Sequence, residues 1–161
     1  QLHAVAGLSA APGLRLELGL VTEKSAMPTV AHGVRPTVVY NSGALTLRAG
    51  LESYKLDGVS YSGSGVSVGY AVAAGVNINA NVAKNSDLDA SSFGLNATIG
   101  AAGVGMVQDK KDENKVTTYY AAYTFPLMGV KGASITPAFS SSKATGVDNL
   151  NAFKVRLNYA F

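Results

Sequence analysis

Apolar and polar residues alternate along most of this 161-residue chain, and helical periodicity is almost absent. The clearest example is the C-terminal segment, in which every second residue is apolar: Phe153, Val155, Leu157, Tyr159 and Phe161. Polar residues stand between them, namely Lys154, Arg156 and Asn158. A period of two is the pattern of a β-strand with one apolar and one polar face. The chain is therefore predicted to be all-β, with 1–161 as a single domain.

The connections between the alternating segments are of two kinds, which follow each other in turn. One kind is short and almost uncharged, as in Asn41-Ser42-Gly43. The other kind is longer and polar, at 23–33, 53–64, 84–91, 108–115 and 143–151. Short turns at one end of a sheet and long loops at the other are typical of membrane β-barrels.

The segments between these connections predict about ten strands, and roughly 9–11 residues suffice for a tilted strand to cross a bilayer. The predicted strands are 13–22, 34–40, 44–53, 60–72, 75–83, 91–99, 102–108, 116–125, 131–142 and 152–161. Eight strands is the alternative, because 34–40 and 102–108 show the weakest alternation. Residues 1–11 are left open as a tail, an additional β segment or a small plug.

Composition excludes several other classes of protein. There is no cysteine for a disulfide, and no apolar run approaches the roughly 18 residues of a membrane helix. The net charge of +3 is dispersed, which argues against nucleic acid as a partner. No leader precedes Gln1, so we interpret the sequence as a mature chain whose export signal has been removed, or as a trimmed one.

Aromatic residues are expected near both ends of the strands, with aliphatic residues in the middle. The group at the short-turn ends is Tyr40, Tyr70, Tyr123, Phe125, Tyr159 and Phe161. The group at the other ends is Tyr54 (out of phase with its strand), Tyr61, Phe93, Tyr119, Phe139 and Phe153. Two aromatic belts match the two interfaces of a bilayer. We therefore expect a closed antiparallel transmembrane β-barrel whose apolar face meets lipid.

The last residues resemble the C-terminal β-signal of bacterial outer-membrane proteins, with alternating apolar positions and a terminal Phe161. The segment from Tyr119 to Phe139 also resembles the last hairpins of Gram-negative porins. This resemblance implies an outer-membrane location, contact with lipid and lipopolysaccharide, and insertion by the barrel-assembly machinery with Tyr159 and Phe161 as the assembly signal. The chain is about half as long as a general porin and has no long constriction loop, which argues against a wide pore.

Seven charged residues are expected on the polar, lumen-lining face: Arg15, Glu17, Arg35, Arg48, Glu52, Lys154 and Arg156. Their positive excess suggests a narrow passive channel that prefers anions. A lumen filled by Arg–Glu pairs is the alternative, as in a non-conducting structural or adhesin barrel. Pairing of the last strand with 13–22 would place Glu17 beside Lys154 and Arg156. Small residues on the apolar face leave open a homo-oligomeric ring that traps lipid.

Catalysis and cofactor binding find no support in the sequence. His3 and His32 are the only histidines, and His32 has no acidic residue near it in its loop. No group of residues has metal-ligand spacing, and Gly63, Gly65 and Gly69 are not followed by a helix that would bind a nucleotide. No cofactor and no enzymatic activity are therefore expected. A soluble ligand-binding barrel is the weakest alternative, since it would need an apolar interior.

Overall fold

The computed structural model describes residues 2–24, 30–56, 58–127 and 129–159. The strands in this part of the chain are β1 (Leu2–Ala11), β2 (Leu14–Lys24), β3 (Val30–Ser42), β4 (Leu45–Leu56), β5 (Val59–Ala73), β6 (Val76–Asn85), β7 (Ala90–Ile99), β8 (Ala102–Lys111), β9 (Asn114–Tyr123), β10 (Phe125–Pro126), β11 (Ala133–Ala144) and β12 (Leu150–Tyr159). Within the same residues, no helix combines the length and the hydropathy needed to cross a membrane.

All strands belong to one antiparallel sheet in which each pairs with the next in sequence. The short β10 is the exception, because β9 and β10 both pair with β11 and are separated only by Thr124. All ten predicted strands are present, and the alternative of eight is wrong. The predicted count of about ten is too low, because residues 2–11 form the additional strand β1. The interpretations of residues 1–11 as a tail or a plug are therefore wrong for 2–11.

The strands extend into the segments predicted as long polar loops. β8 continues to Lys111 and β9 begins at Asn114, so that only Asp112 and Glu113 connect them. Charged residues at these positions remain in hydrogen-bonded strands because both faces of the strand ends stay exposed. We call the end of the sheet that carries the connections 86–89, 112–113 and 145–149 the charged end, and the opposite end the short-turn end.

The sheet has two free edges, because β1 and β12 pair with each other nowhere in the described residues. The predicted closed barrel is therefore not seen. Both edge strands run from the charged end to the short-turn end, since Leu2 lies opposite Thr22 and Tyr159 opposite Ala133. The predicted pairing of the last strand with 13–22 is wrong, because β2 already lies between β1 and β3.

The two faces of the sheet differ in polarity and in exposure. In β5, Gly63, Gly65 and Ser67 on one face are half-buried, whereas Val66 on the other face is 60% exposed. Val39 and Ala133 are the only buried apolar residues among those described, and no described polar or charged residue is buried. The sheet therefore lacks the apolar core of a water-soluble domain and turns its large apolar side chains outward.

Glycine makes the turn between β1 and β2 possible. Gly13 has a φ of 75°, and a Cβ at this position would lie 2.2 Å from the carbonyl oxygen of Asn41. The Asn41 amide donates a hydrogen bond of 2.7 Å to the Gly13 carbonyl, which joins the first turn to β3. The same kind of bond joins Ala71 to Ala44 and Gly100 to Gly75. The short-turn end is thus a continuous hydrogen-bonded rim.

Candidate functional site: the polar face of the sheet

Alternate residues of successive strands place the polar side chains on one continuous surface, which we call the polar face. One cavity of about 700 Å³ on this surface is lined by residues as far apart in the sheet as Arg35 of β3 and Val116 of β9. Strands that are six positions apart can share a cavity only if the sheet curls. The polar face is therefore the inner, concave surface, and the apolar face is the outer one.

Two arginine–glutamate pairs lie on the polar face near β2 to β4. Arg35 Nε donates a hydrogen bond of 2.9 Å to Glu52 Oε2, and a second guanidinium nitrogen contacts the same oxygen. Arg15 Nε lies 3.3 Å from Glu17 Oε1, with the guanidinium over Gly7. All four side chains are partly exposed, so each pair contributes at most about 1 kcal/mol to stability. Their main effect is to neutralise two of the five predicted lumen cations.

Arg48 is the least compensated charge in this region. Its side chain forms no ion pair or hydrogen bond within the described part of the chain. Its neighbours across the strands are Val39 and Ser67, neither of which carries charge. Arg48 also lines three separate cavities of about 700, 460 and 580 Å³. It therefore lies where the cavities of the polar face adjoin one another.

Lys154 and Arg156 lie on the polar side of the edge strand β12, opposite Ala138 and Thr136. Neither makes an ion pair among the described residues. They are not brought to Glu17, because eight strands, β3 to β9 and β11, lie between β2 and β12 in the sheet. The predicted cluster of Glu17 with these two cations is therefore wrong. The predicted sharing of one face by all seven charged residues agrees with the observed register.

Uncharged polar side chains form hydrogen bonds along the strands of the polar face. Asn79 Nδ2 donates to Asn96 Oδ1 at 3.0 Å. Further cross-strand pairs are Asn77 with Thr98, Thr118 with Ser142, and Thr124 with Thr136. These bonds run along the wall and do not extend across the concave space. These polar side chains thus find hydrogen-bond partners on the neighbouring strands. The space in front of them is left for water or a polar solute.

Three tyrosines also lie on the polar face. Tyr54 and Tyr61 face each other across β4 and β5, with ring centroids 4.9 Å apart and an interplanar angle of 14°. Tyr120 lies over Gly105, where a Cβ would be 2.5 Å from the tyrosine Oη. Placing Tyr61 in a lipid-facing belt was therefore wrong, whereas the out-of-phase position of Tyr54 is confirmed. The signal for Tyr54 was its shared phase with Arg48 and Glu52.

The remaining aromatic residues of the described strands lie on the apolar face. Those near the short-turn end are Tyr40, Tyr70, Tyr123, Phe125 and Tyr159. Phe93 and Phe153 lie toward the charged end, whereas Tyr119 and Phe139 are closer to the middle of their strands. The belt at the short-turn end thus agrees with the prediction, except that Phe161 lies outside the described residues. The belt at the charged end is less regular than predicted.

The charged end is organised around Asp87, in the connection between β6 and β7. The Asp87 carboxylate accepts hydrogen bonds from the Ser62 amide at 2.5 Å and from the Ser62 hydroxyl at 2.7 Å. These two bonds hold the pKa of Asp87 below its ordinary value of 3.8, because they stabilise the ionised form. The Asn85 side chain accepts bonds from the amides of Asp87 and Leu88 and so fixes the turn.

This arrangement predicts that acid releases the connection from β5. A carboxyl whose pKa is depressed in the folded state stabilises that state above its ordinary pKa of 3.8, and the effect is lost as the pH falls through the lower folded pKa. The Ser62 amide resonance, titrated from neutral to acid pH, should follow this loss. Asp87→Asn should abolish the titration, and Asp89→Asn, which changes no side-chain contact of Ser62, should leave it. A Ser62 resonance that titrates equally in Asp87→Asn would contradict the assignment.

No group of three or more His, Cys, Asp or Glu side chains in the described residues is placed to hold a metal ion.

No protein-family model matches the sequence, and no curated protein matches it. Solved structures do match the fold. The crystal structure of OccAB4 from Acinetobacter baumannii has a TM-score of 0.66 at 11% identity, covering 98% of this chain and 52% of OccAB4. The KdgM porin has a TM-score of 0.51 at 11% identity, covering 99% of this chain and 91% of KdgM. This chain therefore spans about half the length of OccAB4. At this identity the likeness shows a porin-type antiparallel sheet and nothing finer.

Proposed function

We propose that the curled sheet is the wall of a narrow passive channel in a bacterial outer membrane, with a preference for anions. The observation that carries the proposal is the inverted distribution of polarity, with an apolar convex face and a polar concave face. Leu157, for example, is 68% exposed on the outer face of β12. Only a lipid environment stabilises so many outward aliphatic side chains at once. The likeness to the KdgM porin supports the same conclusion.

A membrane location requires that the free edges of β1 and β12 be paired, because lipid cannot satisfy backbone hydrogen-bonding groups. We therefore propose that the functional unit is a closed transmembrane barrel. Since β1 and β12 run in the same direction, they can join each other directly only as a parallel pair. An entirely antiparallel barrel instead needs an odd number of further strands between them.

Conduction is favoured over a filled lumen by the way the polar side chains are satisfied. The two arginine–glutamate pairs and the asparagine pairs lie along the wall, and cavities of about 460 to 700 Å³ remain in front of them. Of the seven predicted lumen charges, the three that form no ion pair among the described residues are Arg48, Lys154 and Arg156. Asp109 and Lys111, which also line the cavity of about 700 Å³, add one charge of each sign. The remaining excess is positive, which supports an anion preference. In this proposal the protein is a channel and not an enzyme, and it binds no cofactor.

The membrane orientation and the partners follow from the sequence as predictions. The charged end is proposed to be extracellular, and the short-turn end periplasmic, as in outer-membrane barrels generally. Residues 160–161 lie outside the described part of the chain, so the role of Phe161 with Tyr159 in recognition by the barrel-assembly machinery stays a prediction. Contacts with lipopolysaccharide, a cleaved export signal and a lipid-trapping homo-oligomer stay predictions as well.

The proposal is tested by single-channel recording of the purified, folded protein in a planar bilayer under a potassium chloride gradient. We expect discrete, small conductance steps and a reversal potential that is shifted toward the equilibrium potential of chloride. Folded protein that inserts without any conductance would contradict the channel and favour the structural or adhesin barrel. A reversal potential on the potassium side would contradict the anion preference alone.

A further inference from the structure

The stacked tyrosines Tyr54 and Tyr61 are not needed for packing, since they lie half-exposed on the polar face. Amphipathic rings on an outer-membrane barrel are expected at the lipid interfaces, and these two face the opposite way. Their position toward the charged end of β4 and β5 places them at the proposed extracellular entrance. An exposed aromatic pair at the entrance of a polar cavity fits a ligand that has both an apolar and a polar side.

The surroundings of Tyr54 supply both kinds of contact. Gly33, directly opposite on β3, presents no side chain beyond the ring, and Tyr54 and Gly33 together line a cavity of about 460 Å³. Glu17, Glu52 and Arg48 line the same cavity. This volume lies within the range of about 300–1,000 Å³ that is typical of small-molecule sites. The cavity is thus lined by one aromatic ring and by charged side chains, of which Glu17 and Glu52 are paired with arginines and Arg48 has no partner among the described residues.

We propose that this cavity binds a pyranose ring of a saccharide that passes through the channel. The electron-rich face of Tyr54 attracts the weakly positive C–H groups on one face of a pyranose. The hydroxyl groups at the ring edge then donate hydrogen bonds to Glu17 or Glu52 and accept them from Arg48. As a solute class for the channel, the saccharide rests on the proposed function. Binding of the saccharide to the cavity does not itself require conduction.

Binding is measured by calorimetric titration of the detergent-solubilised, folded protein with maltotriose, and with glycerol as a polyol that has no ring. We expect saturable binding of maltotriose and none of glycerol. Tyr54→Leu should weaken binding about tenfold, because a leucine keeps the bulk but lacks the ring face. Tyr54→Phe should keep most of the affinity. Tyr70→Leu is the matched control, since Tyr70 lies on the apolar face of β5 and away from the cavity.

Maltotriose that fails to bind the wild type, or that binds Tyr54→Leu as tightly as the wild type, would overturn the proposal. Equal weakening by Tyr70→Leu would overturn it too, because the effect would then come from the barrel as a whole. Conductance recorded on the same samples separates the two proposals. Binding of maltotriose without conductance would support the sugar site and contradict the channel. Conductance without binding of maltotriose would support the channel and contradict the sugar site.

Discussion

Ala80→Arg should lower the free energy of unfolding from lipid vesicles by about 2–4 kcal/mol, the cost of an arginine on the lipid face of a barrel near the bilayer midplane. Ala80 lies in the middle of β6, opposite Val68 on one side and Leu95 on the other. Both neighbours are exposed apolar residues of the outer face. The measurement is a urea titration of vesicle-bound protein, followed by the electrophoretic shift of the folded form, because the chain has no tryptophan.

The matched control is Asn81→Arg, one residue further along the same strand. Asn81 lies on the polar face and lines two of the cavities, so an arginine there has room and water. Its cost should stay below about 1 kcal/mol, as for an ordinary exposed substitution. Equal losses in the two variants, or a larger loss for Asn81→Arg, would mean that the apolar face does not meet lipid. The whole assignment of inside and outside would then be reversed.

The strands were predictable because alternation and turn chemistry are local properties of the sequence. The segment 102–108 shows the limit of this argument. Its alternation is weak because Gly103 and Gly105 occupy the polar face, yet it forms the full-length strand β8. The ring of Tyr120 on β9 covers Gly105. The missing side chain is thus replaced by one from the neighbouring strand, and no pattern within 102–108 contains that information.

The edges of the sheet could not be predicted for a related reason. In β1 the alternation is poor, since the apolar Val5 lies on the same face as Gly7 and Ser9. The strand forms because its backbone pairs with β2 from Leu2 to Ser9 and again at Ala11. Alternation indicates which way a side chain points but not which strand is last. The predicted neighbours of Glu17 were therefore wrong, although its face was right.

For the candidate site, the sequence predicts the face on which each charged residue lies but not its partner. The phase of each strand places Arg35, Arg48 and Glu52 on one face, and this needs no knowledge of the fold. Pairing requires the register between β3 and β4, which places Arg35 directly across from Glu52 and Arg48 across from Val39. The register therefore decides which arginine is neutralised and which remains free. Of the three cations without an ion pair, Arg48 is the one that lines three cavities.

That free cation gives the second large effect that we expect. Arg48→Glu should reduce the preference of the channel for anions at least about fivefold, because it replaces a positive charge by a negative one where screening by salt is incomplete. The measurement is the reversal potential in a potassium chloride gradient. Arg48→Lys is the matched control and should keep the preference. Arg48 has no partner within the described residues, so neither change breaks an ion pair of the folded wall.

Arg35→Gln distinguishes an effect of the total charge of the wall from an effect of the position of Arg48. That change removes a positive charge and leaves the Glu52 carboxylate without its partner. If selectivity depended only on the summed charge of the wall, Arg35→Gln would shift the reversal potential half as far as Arg48→Glu, and Lys154→Gln would shift it as far as Arg35→Gln. If selectivity depends on position, Arg48→Glu should exceed twice the effect of Lys154→Gln, because Arg48 adjoins three cavities and Lys154 lies on the edge strand β12. An unchanged reversal potential in Arg48→Glu would place the permeation path away from β4 altogether.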